Sequence, residues 1–109
     1  MASFEDFMKL DIRVGTIVSA KVFEKAKKPA YQLQVDFGEE IGVKKSSAQI
    51  TDHYSTDDLI GKQVLAVVNF LPRQIADFMS EVLVLGTYSE GGVVLITPDK
   101  PVENGDKLG

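Results

Sequence analysis

The chain holds one histidine and no cysteine, which limits the chemistry its side chains can perform. His53 stands in the polar run Thr51-Asp52-His53-Tyr54-Ser55. Serine, histidine and aspartate all occur, but nucleophilic catalysis needs them brought together, and the chain has no Gly-x-Ser-x-Gly turn. One histidine without paired spacing does not supply the ligands of a metal site. Gly38-Glu-Glu-Ile-Gly42-Val-Lys44-Lys45-Ser46 looks like a phosphate loop, but lacks the Gly-Lys-Ser/Thr adjacency that the loop requires. The carboxylate pairs Glu39-Glu40 and Asp57-Asp58 lie among turn residues and read as solvated charges. The sequence points away from catalysis, and no cofactor or metal is expected.

Its binding signals are stronger. Asn69 to Gly86 carries Phe70, Leu71, Ile75, Phe78 and Met79 beside Arg73, Ser80 and Glu81. An apolar, aromatic and charged mixture on one loop between rigid strands is either a peptide-binding surface or a cap on the end of a barrel. Flexible and aromatic side chains such as Met79 and Phe78 accept varied sequences. Lys25, Lys27 and Lys28 form a second, basic loop, and Lys44, Lys45 and Arg73 extend the same track. With Tyr31 or Phe70 as stacking faces, that combination reads either as an RNA or peptide contact or as ordinary solvated lysines.

The elements that must position these residues follow from periodicity. Ser3 and Asp6 have the spacing of a capping box, and Phe4, Phe7 and Met8 share one helical face. That short helix must pack on the barrel or on a partner subunit. Residues 11–23 read as one long strand, with Ile12, Val14, Thr16, Val18, Ala20 and Val22 on one face and Gly15 marking a bend. Tyr31, Leu33, Val35 and Phe37 alternate as a second strand. Ile41 to Lys45 reads as a third, with Ser46 or Ser47 capping a helix over Ala48 to Tyr54. The runs Val64–Val68 and Val82–Leu85 read as buried strands. Between them Pro72 takes the chain out of regular pairing. Ser89-Glu90-Gly91-Gly92 reads as a hairpin turn before a last strand, Val93 to Thr97. A long bent first strand serving two sides of a small barrel predicts an all-β fold, the five-stranded Greek-key OB barrel with short helices.

The last two core strands are apolar on both faces, and a barrel covers only its inner face. Another copy of the chain, giving a homodimer, or the terminal segments Phe4, Phe7, Met8 and Val102 to Leu108 must cover the rest. The chain has 109 residues, enough for one domain, 1–109. Its net charge is −4, so general attraction to nucleic acid or anionic membrane is not expected. Residues 1–50 carry eight Lys/Arg against seven Asp/Glu, whereas residues 51–109 carry four against nine. A local basic patch on the first half therefore survives. The first residues carry acids where a secretory signal has an apolar core. No apolar run approaches the length of a membrane span, so the expectation is a cytoplasmic protein without membrane insertion.

Leu10-Asp-Ile-Arg-Val-Gly-Thr-Ile17, Val35-Asp-Phe-Gly38, Gly61-Lys-Gln-Val64, Asn69-Phe-Leu-Pro-Arg73 and Ser80-Glu81 resemble the tRNA-binding OB domain. That domain is appended to some methionyl- and phenylalanyl-tRNA synthetases and also occurs free-standing. Ile41-Gly-Val-Lys-Lys-Ser-Ser-Ala-Gln-Ile50 and Ser80-Glu-Val-Leu-Val-Leu-Gly86 look like its CsaA branch of bacterial export-related chaperones. The resemblance covers nearly the whole chain. It implies an OB barrel, a homodimer built from terminal segments, no catalysis, and binding of unfolded preproteins, with tRNA as the alternative ligand. Asn69, Arg73, Ser80 and Glu81 are the family positions carried over. Where tRNA-binding relatives commonly read Ser-Glu-Gly-Met, this chain reads Ser80-Glu81-Val82-Leu83.

Overall fold

The first strand, β1 (Ile12–Val22), serves two neighbours. A computed structural model describes residues 1–109. The first half of β1 pairs with β4 (Gln63–Val67) and its second half with β2 (Tyr31–Asp36), both antiparallel. Gly15 lies where the two halves cross over the core. A Cβ there would come within 2.6 Å of Val35 Cγ1 and 2.8 Å of Phe37 Cδ1. A register shift between Ile17 and Ser19 then re-phases the strand.

The single face expected over 12–22 is broken: Ile17, ahead of the bulge, lies on the opposite pleat from Ile12 and Val14, and beyond the bulge Ala20 turns onto the main core. Ile17 enters the main core, while Ile12 and Val14 belong to a separate outer cluster. Val18 and Val22 are exposed. An extra residue in one strand swaps the faces of everything beyond it.

The second strand matches its pattern: Tyr31, Leu33, Val35 and Phe37 are all buried. The third, β3 (Val43–Ala48), runs through the serines expected to cap a helix. Ser46 and Ser47 pair with Leu33 and Gln32 instead, because β2 supplies ladder partners as far as Tyr31. The helices are α1 (Phe4–Met8) and α2 (Thr56–Leu59), each opened by a full capping box, Ser3 with Asp6 and Ser55 with Asp58. Asp57 and Asp58 thus begin a helix and do not sit in a loop.

After β4 comes a small hairpin, β5 (Arg73–Ile75) and β6 (Phe78–Ser80), in a stretch expected to lack regular pairing. Then β7 (Leu83–Val84) returns beside β4. A final hairpin, β8 (Gly86–Ser89) and β9 (Gly92–Leu95), turns through Glu90-Gly91 as its glycines predict. The main sheet runs β3-β2-β1-β4-β7 and curls into a nearly closed five-stranded barrel of the OB type.

The chain itself buries the outer apolar cluster. Ile12, Val14, Leu65 and Val67 lie beneath Phe7, Leu10, Leu85 and Ile96. The C-terminal segment takes the edge of β1 that β2 leaves free. Val14 N–H donates to Asp106 O at 2.9 Å, Gly105 N–H to Val14 O at 2.8 Å, and Leu108 N–H to Ile12 O at 2.8 Å. Of the two covers considered from sequence, the intramolecular one supplies the closure seen here.

Candidate binding site

Two segments meet at one end of the barrel, the β1–β2 loop and the tip of the β5–β6 hairpin. Phe23, the last apolar residue before the lysine loop, is buried and packs edge-on against Phe78, with ring centroids 5.4 Å apart. Lys25 Nζ reaches Asp77 Oδ2 at 2.8 Å. Lys45 projects from β3 over the Phe78 ring, 5.4 Å from its centroid, a cation–π distance. The hydrogen bond from Lys25 holds the Asp77 carboxyl below its usual range, and Asp77 raises Lys25 in turn. The OB barrel presents its ligand face beside these two connections, along strands two and three.

The hairpin distributes its side chains by register. Arg73 opposes Ser80 and Ile75 opposes Phe78, whereas Gln74 opposes Met79. Alternation therefore places Arg73, Ile75, Phe78 and Ser80 on one side and Met79 on the other. Ile75 and Phe78 are half-buried, while Phe70 and Met79 are exposed and Leu71 is 92% exposed. The expected peptide-binding residues thus share one hairpin and its base but do not line one continuous wall.

The basic track is shorter than the sequence implied. Lys25, Lys27 and Lys28 are exposed on the loop, with Lys27 beside a shallow depression shared with Val22, Phe23, Ala26, Pro29 and Tyr31. Lys44 and Lys45 are neighbours on one strand, so they point to opposite faces and only Lys45 meets the hairpin. Tyr31 is buried and donates its hydroxyl to Tyr54 O at 2.6 Å, which removes it as a stacking face.

Three motif positions serve the architecture. Ser47 N–H donates to Ser80 Oγ at 2.9 Å, and Lys45 N–H donates to Glu81 Oε1 at 2.9 Å. Glu81 N–H donates to Lys45 O at 2.7 Å. Ser80 and Glu81 thus tie the edge of β3 to the chain entering β7. Asn69 accepts from Asp11 N–H and donates to Lys9 O, both at 2.9 Å, tying the hairpin base to the end of α1. No sequence pattern marks Phe23 or Asp77. Phe23 looked like the last residue of a strand, and Ala76-Asp77 is a two-residue turn that lacks glycine. His53 lies against the β8–β9 turn, with Nε2 3.3 Å from Glu90 O. No three His, Cys, Asp or Glu side chains gather where they could hold a metal ion.

Residues 12–107 match the family model of a putative tRNA binding domain. The chain belongs to this family. It is similar to the solved CsaA chaperone protein from Picrophilus torridus, at 55% identity and a TM-score of 0.96 over the full length of both chains. It is similar to the chaperone CsaA from Bacillus anthracis, at 53% identity and a TM-score of 0.93, covering 100% of this chain and 99% of that one. It is also 40% identical to the methionine–tRNA ligase of Christiangramia forsetii over 110 residues, which is all of this chain and 15% of that protein. The chain spans about 15% of the length of the curated relatives it matches. The CsaA-type motifs agree with the full-length likeness, which includes α1 and the C-terminal segment.

Proposed function

We propose that the chain is a non-catalytic chaperone of the cytoplasm that holds unfolded or export-bound polypeptides at the hairpin end of a homodimeric barrel. One observation carries this reading. Phe70 and Leu71 lie exposed at the base of a hairpin that Asn69 ties to the end of α1. Adjacent exposed apolar side chains on a braced support offer the kind of patch that marks an interaction site. The full-length likeness to CsaA chaperones supports it. Suppression of aggregation of a chemically denatured client tests it. Phe70→Ala with Leu71→Ala removes apolar surface outside the core, so the fold stays intact while protection falls by roughly tenfold, the scale expected from burying one or two such side chains. Undiminished protection would overturn this placement of the site.

The second reading is a tRNA-binding module. The family match and the cation over Phe78 favour it. Its mark is salt dependence: tRNA retention on filters falls steeply as salt rises, and Arg73→Ala lowers the log–log slope by about one unit if Arg73 meets phosphate.

The homodimer has its own test. Phe4 is 74% exposed, and Met8, Val102 and Leu108 are also exposed, whereas Phe7 is half-buried against the outer cluster. Phe4→Asp is expected to split the dimer and leave each barrel folded. Phe7→Asp is expected to weaken association and folding together. Sedimentation with thermal melts over a hundredfold dilution reads both, and a wild-type monomer at every concentration would sink the dimer.

A further inference from the structure

The hairpin tip places a carboxylate where the surrounding chemistry favours an anion. Asp77 occupies a two-residue turn whose other member, Ala76, has φ 52, a conformation that glycine adopts more readily. Gln74 braces that turn by donating from Nε2 to Ala76 O at 3.1 Å. The braced tip brings Asp77 onto Lys25, with Lys25 Nζ 2.8 Å from Asp77 Oδ2. Both partners of the pair are mostly exposed, and such pairs add little to stability. Beside them lie Phe78 and Lys45. Aromatic faces flanked by cations are what a single-stranded RNA uses for stacking and phosphate contact. The internal carboxylate is the difference.

We propose that Asp77 is an internal anion that fills the cationic seat at the groove mouth and so selects against phosphate backbones, which makes it a specificity-determining residue. The inference rests on the hairpin end being the binding site. A phosphate reaching Lys25 must displace Asp77 and then remain beside its negative charge. A polypeptide backbone is neutral and meets no such penalty. Specificity built from a repulsive element needs only one misplaced charge to fail.

The experiment is fluorescence anisotropy with a labelled single-stranded oligoribonucleotide, from about 50 mM to about 200 mM salt, where counterion release is readily measured. Asp77→Asn is expected to bind about threefold to tenfold more tightly at the low end, with a log–log slope steeper by about 0.7 for one added phosphate contact. Adding Lys25→Ala to Asp77→Asn should return affinity to the wild-type value, and Asp57→Asn on α2 should change nothing. If Asp77→Asn behaves like Asp57→Asn, or if no variant binds the oligonucleotide, the proposal is overturned. The client-holding assay on the same proteins keeps the two ideas separate. Wild-type failure there removes the chaperone reading, whereas the anisotropy assay alone decides the role of Asp77.

Discussion

Gly15→Ala is expected to lower the melting temperature by on the order of 10 °C, because overfilling a packed core costs about 1–3 kcal/mol and a domain of this size loses several degrees per kcal/mol. The added methyl would stand 2.6 Å from Val35 Cγ1, 2.8 Å from Phe37 Cδ1 and 2.9 Å from Phe37 Cε1. Neither neighbour has room to yield. Val35 and Phe37 are fully buried; Val35 is held in the ladder between β1 and β3, and Phe37 N–H donates to Gly42 O at 3.0 Å. The clash also falls where β1 passes from β4 to β2, so backbone relief would disturb both pairings. Calorimetry reads the loss directly. Val35→Ala placed beside Gly15→Ala should recover part of it, since the two side chains compete for one volume. A melting temperature within about 2 °C of wild type would show that the crossing tolerates a side chain.

The sequence carried the architecture where pattern and environment agree. Tyr31, Leu33, Val35 and Phe37 alternate and are all buried, and Glu90-Gly91 turns the last hairpin. It misled where tertiary contacts decide the phase. Nothing local in Ile17-Val18-Ser19 announces the bulge, whose position is set by how β2 meets β1. Ser46 and Ser47 have good capping chemistry, but a waiting strand partner outweighs it. Lys44-Lys45 reads as a doubled charge, and strand alternation sends only one of the two to the hairpin. The motif positions Ser80, Glu81 and Asn69 are visible in the sequence as a group, but the groups they bond in the fold are not. Their partners are backbone groups up to 60 residues away, which no local pattern records.

Glu81→Ala is expected to open the barrel locally and lower its stability by about 1–3 kcal/mol, the cost of leaving a part-buried donor without its acceptor. Lys45 N–H donates to Glu81 Oε1 at 2.9 Å, and Lys45 O accepts from Glu81 N–H at 2.7 Å. β3 is the terminal strand of the sheet, and β7 at the opposite end pairs only with β4. The Ser80-Glu81 side chains therefore stand in for ladder hydrogen bonds at the seam. Losing the carboxylate strips a charge-assisted acceptor from one side of that seam. The same loss frees Lys45, which also covers Phe78, so the hairpin end should lose order with the seam. Hydrogen exchange at the Lys45 and Ser47 amides should accelerate by roughly tenfold or more, because 1.4 kcal/mol corresponds to a factor of ten. Glu81→Gln keeps an oxygen acceptor and should retain most of the protection. Ser80→Ala should expose Ser47 N–H with a smaller loss, since a neutral hydroxyl acceptor is weaker than a carboxylate. The alternative is that Glu81 meets the ligand. In that case Glu81→Ala would leave melting and exchange unchanged while client holding falls, and the seam would have to be explained by the backbone hydrogen bonds alone.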